Sequence, residues 1–281
     1  MTTTMERSGS APGVRTMLNK VPEVTVYFWL IKVLCTTVGE TAADYLNTSL
    51  HMGLTNTTYV MSVLLVAALV AQFRVRRYVP GVYWLAVVLI SVVGTLVTDN
   101  LTDNLGVALT TTTAVFAVVL AATFALWFAV ERTLSIHSIR TPRREAFYWL
   151  AILFTFALGT AAGDLVAERM NLGYWLSALA FGAVIAVVAL AHFRLRLNAV
   201  LAFWLAYILT RPLGASLGDY LSQPRADGGL GLGTVGTSAL FLATILALVV
   251  NLTRTRKDQR PAPHTPLDEH AQQDRRAAET A

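Results

Sequence analysis

The sequence predicts an all-α integral membrane protein whose eight transmembrane helices form four parallel two-helix repeats. Three observations lead there. The composition is 55% hydrophobic and only 14% charged, with a mean hydropathy of +0.55, far from that of an average soluble domain. The charges cluster between apolar runs of ~17–24 residues, the length a helix needs to cross the hydrocarbon. One motif also recurs four times at unchanged spacing: an aromatic–Trp pair, a glycine ten residues after the Trp, and an aspartate five further on. The copies are Phe28-Trp29, Gly39, Asp44; Tyr83-Trp84, Gly94, Asp99; Tyr148-Trp149, Gly159, Asp164; and Phe203-Trp204, Gly214, Asp219. Internal repetition of this kind decides the architecture before any local signal does. A membrane barrel would need short alternating segments instead of continuous apolar runs.

Residues 1–20 are polar and read as a cytoplasmic tail, without the short apolar core and cleavage site of a signal peptide. The first span runs from about Val24 to Leu46, opened by Pro22-Glu23, a favourable first-turn pair. A polar loop, Asn47 to Asn56, leads to the shortest span, about Thr57 to Phe73. Arg74, Arg76 and Arg77 separate it from the third span, Pro80 to Leu101. The turn Asp103-Asn104-Leu105-Gly106 leads into the fourth, Val107 to Val130. The connection Glu131 to Glu145 carries Arg132, Arg140, Arg143 and Arg144, and spans five and six follow at about Ala146–Val166 and Tyr174–Phe193. After Arg194 and Arg196 come span seven, about Ala199–Leu221, a Gly-rich loop, and span eight, about Thr234–Leu252. The repeats therefore fall at about 21–75, 78–132, 142–196 and 198–253 within a membrane domain of residues 21–253. Residues 254–281, charged and Pro-containing, read as a disordered cytoplasmic tail.

Lys and Arg set the orientation. Of the 22, eighteen lie in the two tails and in the loops after spans two, four and six. The other loops hold only Arg169 and Arg225, and Lys32 and Arg211 lie within spans. By the positive-inside rule both termini are cytoplasmic, in a cell (inner) membrane that the chain is expected to cross many times. The same placement accounts for the pI near 9.6 without a nucleic-acid partner. It also suits anionic lipid headgroups.

Two crossings per repeat bring every copy back in one orientation, so the motif residues fall at matching depths. Trp29, Trp84, Trp149 and Trp204 come near the start of each odd helix, where amphipathic rings anchor at the interface. Fifteen residues on, about 22 Å along a helix, the four aspartates share one level towards the outer side. Gly159 with Gly163 and Gly214 with Gly218 form GxxxG pairs, and Gly39 and Gly94 have small-residue equivalents, so the odd helices are expected to pack closely as an inner cluster.

An ionisable residue inside a span marks a pathway or site unless it serves as a cap or a helix–helix hydrogen-bond partner, and for the aspartates both readings stand. Glu40, Asp103 and Glu168 each lie four residues from an aspartate, on the same face. Seven crowded carboxylates need protonation, a bound cation, or pairing with Lys32 or Arg211. Arg211, without a basic counterpart in the other repeats, is either a counter-ion or a gate. Oxygen-rich sites suit hard cations and do not select a metal. The single cysteine, Cys35, excludes a disulfide framework, and no nucleophile, zinc or nucleotide motif points to an enzyme or a cofactor.

The stretch from Lys20-Val-Pro-Glu-Val-Thr-Val-Tyr-Phe-Trp29 to Gly39-Glu-Thr-Ala-Ala-Asp44-Tyr45, with its copies through about residue 253, resembles bacterial membrane-anchored proteins built from four two-span repeats of unknown function. The resemblance implies the eight-span plan and no activity. A fainter likeness is to cation exporters with a Glu-x-Gly-Asp signature, which Gly163-Asp164 and Gly218-Asp219 match in the last two residues, Ala161 and Ser216 replacing the Glu.

The function expected is a transporter or exporter of a small cation, divalent or proton-coupled, with the aspartates lining the path. The alternative is a non-transporting scaffold or sensor. The lipid bilayer is the certain partner, and a homo-oligomer is compatible with the repeats. A reporter enzyme fused after Lys257 is expected to report a cytoplasmic position; a periplasmic signal overturns the topology.

Overall fold

The computed structural model describes residues 19–170 and 172–258, with only the backbone of Thr48, Glu168 and Arg169. Its eight long helices are α1 (Val26–Asp44), α2 (Leu54–Arg74), α3 (Pro80–Asp99), α4 (Leu109–Glu131), α5 (Pro142–Asp164), α6 (Gly173–Leu195), α7 (Ala199–Ser222) and α8 (Gly233–Thr255). Seven, all but α1, are long and apolar enough to cross a membrane, the signature of a multi-pass helical membrane protein. Among the described residues there is no strand.

Local chemistry sets the helix ends. The Thr25 hydroxyl accepts from the Phe28 amide, so α1 begins at Val26 and Pro22-Glu23 stays outside it, contrary to the first-turn role expected of that pair. Pro80 and Pro142 occupy first-turn positions, where their missing N–H costs nothing. α4, α6 and α8 close on arginines in the left-handed region, Arg132, Arg196 and Arg256, whose charge suits a helix C-terminus. α1, α3 and α5 each end on the motif aspartate and continue into a five-residue π-helical turn: Tyr45–Ser49, Asn100–Asn104 and Leu165–Arg169.

The odd helices form a closed inner ring, α1–α3–α5–α7–α1, and the even helices lie outside it. In the most apolar stretches of α3, α5 and α7, 50–67% of residues are buried, against 11–22% in α2, α4, α6 and α8. The ring is knit by equivalent residues at two levels. At the aromatic level the first ring of each pair packs on the next repeat's Trp: Phe28–Trp84, Tyr83–Trp149, Tyr148–Trp204, and Phe203–Trp29 to close. At the glycine level each motif glycine faces the residue three before the next motif glycine. A Cβ on Gly39, Gly94, Gly159 or Gly214 would lie 2.5–2.7 Å from the Cβ of Ser91, Phe156, Arg211 or Thr36 respectively. Gly163 and Gly218 lie further from their neighbours, with Pro212 and with Thr37 and Glu40.

Three expectations are corrected. The even helix of a repeat packs chiefly on the next odd helix in place of its own, although α8 also touches α7. α2 packs on α3, α4 on α5, α6 on α7, and α8 returns to α1, so the last helix completes the first. Trp84, Trp149 and Trp204 are buried and Trp29 half-buried; their rings pack between helices, which replaces the interface-anchor role. The tail boundaries also move. Lys20 is buried and paired with Glu145, α8 runs to Thr255, and Asp258 is buried; the remainder of both expected tails lies outside the described residues.

Gly39→Leu is expected to overpack the α1–α3 contact, costing at least about 1–3 kcal/mol, while Gly81→Ala, which meets open space, is expected to be neutral. Thermal denaturation of the purified variants in detergent measures both.

Candidate functional site

Positions spaced four apart along the inner helices, about 6 Å of rise each, form successive layers across the bundle. Eleven residues before the motif glycines come Phe28, Tyr83, Tyr148 and Phe203; seven before, Lys32, Val87, Ile152 and Tyr207; three before, Thr36, Ser91, Phe156 and Arg211. One after are Glu40, Thr95, Thr160 and Ala215, and five after are the aspartates. The first four layers are buried apart from the half-buried Phe203. The repeat thus supplies a frame, and the differences within each layer supply the chemistry.

The centre is Arg211, fully buried. Its Nη1 donates to the Thr36 carbonyl at 2.8 Å, and its Nη2 to Glu40 Oε2 at 2.8 Å and Thr160 Oγ1 at 2.8 Å, with Thr95 Oγ1 also in contact. One guanidinium on α7 therefore bonds α1, α3 and α5. Glu40 is its ionic partner. Glu40 lies one layer inward from the aspartates, tied to the arginine, and its field also reaches Asp44, Asp99 and Asp219. Gly159 makes this feasible, because any side chain there would strike Arg211 Cβ and Cγ.

Lys32 lies one layer further in, buried, with its ammonium 4.1 Å from the Phe156 ring centroid and 4.3 Å from that of Tyr207. Among the described residues its Nζ has no hydrogen-bond partner and pairs with no carboxylate; the two π faces provide its stabilisation. At the aromatic end the hydroxyls of Tyr83 and Tyr148 hydrogen-bond, and the Tyr78 hydroxyl donates to Asp258 Oδ2 at 2.6 Å. Burial pushes both Asp258 and Tyr78 above their ordinary values, while the hydrogen bond that Tyr78 donates pulls Asp258 the other way by favouring its charged form. Beside it Lys20 Nζ donates to Glu145 Oε2 at 2.6 Å and to the Phe73 carbonyl at 3.1 Å, and Gln72 holds the other carboxylate oxygen.

At the other end the aspartates come together. Asp99 lies within electrostatic reach of Asp44 and Asp164, and Asp219 of Asp44 and Asp164, which closes a ring of four. All four are half-buried. Gln223 Nε2 donates to Asp44 Oδ2 at 3.4 Å, and Asp103, exposed, accepts from the Thr102 hydroxyl and adds its field to Asp44 and Asp99. The Glu168 side chain lies outside the described residues. Among the described residues no three His, Cys, Asp or Glu side chains converge as a metal cage. The aspartates stand together on the far side of the Arg211–Glu40 pair from Lys32.

The departures among the four copies point to this centre: Arg211 stands where the others have Thr36, Ser91 and Phe156, and Glu40 where they have Thr95, Thr160 and Ala215. No periodic signal announces Lys20 with Glu145, or Tyr78 with Asp258.

A family model described as Repeat of Unknown Function (DUF347) matches residues 27–78, 82–133, 147–198 and 202–258, one match per repeat. No curated protein and no solved structure matches the chain.

Glu40→Gln is expected to leave the guanidinium without its counter-charge and to cost roughly 3–5 kcal/mol, read as a fall in melting temperature. Pairing it with Arg211→Met is expected to recover part of that loss. A double variant as unstable as the sum of the singles would show that the two groups do not act as a pair.

Proposed function

We propose, for a chain that belongs to the Repeat of Unknown Function family and takes no activity from that description, a polytopic carrier of a small cation. It sits in the inner membrane as eight spans in four parallel repeats, with both termini cytoplasmic. The observation that carries this reading is the ring of four repeat-equivalent aspartates above the buried Arg211–Glu40 pair.

On this reading the aspartates, with Asp103 at their rim, concentrate cations at the outer side. Arg211 acts as the gate. With its bonds to all three other repeats in place, the axis is closed by a positive charge. A cation at Glu40 competes with the guanidinium for the same carboxylate, and releasing Arg211 loosens the helices it holds. Opening is thereby coupled to the arrival of charge. Lys32 supplies a second barrier one layer below, and its lack of a hydrogen-bond acceptor leaves it free to shift against the aromatic rings. Mg²⁺, Mn²⁺ and protons all fit carboxylate chemistry.

A second reading, a scaffold or sensor that transports nothing, is favoured by the sealed centre: Arg211 and its partners fill the axis with hydrogen-bonded side chains. Its substrate would be a partner or lipid at the surface, and the aspartates would be helix-end hydrogen-bond groups.

Asp164→Asn with Asp219→Asn separates the two. In proteoliposomes carrying a divalent-sensitive dye and a pH dye, the variant is expected to lose Mn²⁺ or proton movement seen with the parent while keeping its melting temperature. Unchanged flux in a folded variant sinks the transport reading.

A further inference from the structure

We propose that the crevice between α6, α7 and α1 is a binding site for an anionic phospholipid, one acyl chain lying in the crevice and the phosphate among the arginines at its mouth. It is an apolar cavity of about 660 Å³, walled by α6, α7 and α1 and roofed by Leu134 to His137 of the α4–α5 connection.

The crevice follows from the repeat. A counterpart of about 240 Å³ lies between α2, α3 and α5. The two correspond residue by residue under the repeat: Leu65, Leu69 and Phe73 stand where Ile185, Ala189 and Phe193 do, Ile90 where Thr210 does, and Trp149 and Leu153 where Trp29 and Val33 do. The larger volume has nameable causes. Ala189 replaces Leu69, Thr210 replaces Ile90 and Val33 replaces Leu153, each a smaller side chain on the wall. Ala202 lines the same space, where the other three repeats carry Tyr27, Val82 and Phe147. Close packing is the rule in protein interiors, so a cavity trimmed on three helices at one repeat boundary is a site shaped for something long and apolar.

Charge selects the occupant. Arg194 and Arg196 follow directly on Phe193, and Arg132 and Arg140 flank the Leu134–His137 roof; all four are exposed and none joins a salt bridge among the described residues. His137 and His192 line the same mouth, His137 facing Glu23 at 3.7 Å and His192 bonded to the Leu197 carbonyl. Arginine beside an apolar slot matches a phosphate carried on an acyl chain, since guanidinium binds phosphate in a planar, paired fashion. The inner wall is Thr210, whose carbonyl accepts from Thr36 and which precedes Arg211, so the acyl chain would lie against the backbone that holds the central arginine. The site does not depend on whether the aspartates move cations.

Native mass spectrometry of the full chain, purified from nanodiscs of equal phosphatidylglycerol and phosphatidylcholine, tests this. The parent is expected to retain phosphatidylglycerol in several-fold preference, and Ala189→Leu, which restores the residue of the smaller crevice, to lose it. Arg194→Gln with Arg196→Gln, a surface change that leaves the fold alone, is expected to retain both lipids equally. Equal retention of the two lipids by the parent, unchanged retention after Ala189→Leu, or the mass of a second copy of the chain in place of lipid each overturns the proposal.

Discussion

The fold depends on how one guanidinium is satisfied. Arg211 is carried deep between four helices, where an unpaired charge would be prohibitively costly. Its bonds to Thr36 and Glu40 on α1, Thr95 on α3 and Thr160 on α5 are what allow it there. In that low-dielectric setting each bond is electrostatically stronger than at a surface and polarises its neighbours. The close packing around it serves the same end. Gly159 leaves the space its Cβ and Cγ occupy, and Gly39, Gly94 and Gly214 draw the remaining helix pairs to the distance at which the network closes. The glycine ring and the arginine are therefore one device. Substituting either part disturbs the other.

A strictly fourfold sequence could not build this. Four arginines in one layer would repel one another, and four threonines would leave the axis without charge. Single departures in adjacent layers solve the problem: an arginine in the fourth repeat, a glutamate in the first, a lysine in the first set against a tyrosine of the fourth and a phenylalanine of the third. Of the five layers spaced four apart, only the aspartate layer keeps its identity in all four copies, and it lies nearest the C-terminal ends of the odd helices, three of which run on into π-helical turns.

Much of this was legible in the sequence. The fixed Trp–Gly–Asp spacing assigns each motif residue a depth, and the contrast between glycine-bearing odd spans and apolar even spans predicts which helices lie inside. Spacing does not, however, say which neighbour a helix meets. Loops joining α1 to α2 and α2 to α3 are both short, so the sequence alone could not show that α2 leans on α3. The tryptophans have the right composition for an interface and the right depth, yet the ring of aromatic pairs claims them, because at the tight end of the bundle each ring has another ring within reach. Lys20 and Glu145 are 125 residues apart, and nothing local marks a polar tail residue as one that will be buried.

The return of α8 to α1 bears on how the chain is assembled. α1 is the one long helix that falls short of a membrane span in its apolar content, carrying Lys32 and Glu40 on a helix of 19 residues. It is made first. The arginine that neutralises Glu40 comes 171 residues later, and the helix that covers its outer face comes last of all. Until α7 is made, Glu40 lacks the arginine that neutralises it. Closure of the ring therefore needs the last two helices, and a chain truncated before α7 lacks both the partner of Glu40 and the helix that covers α1.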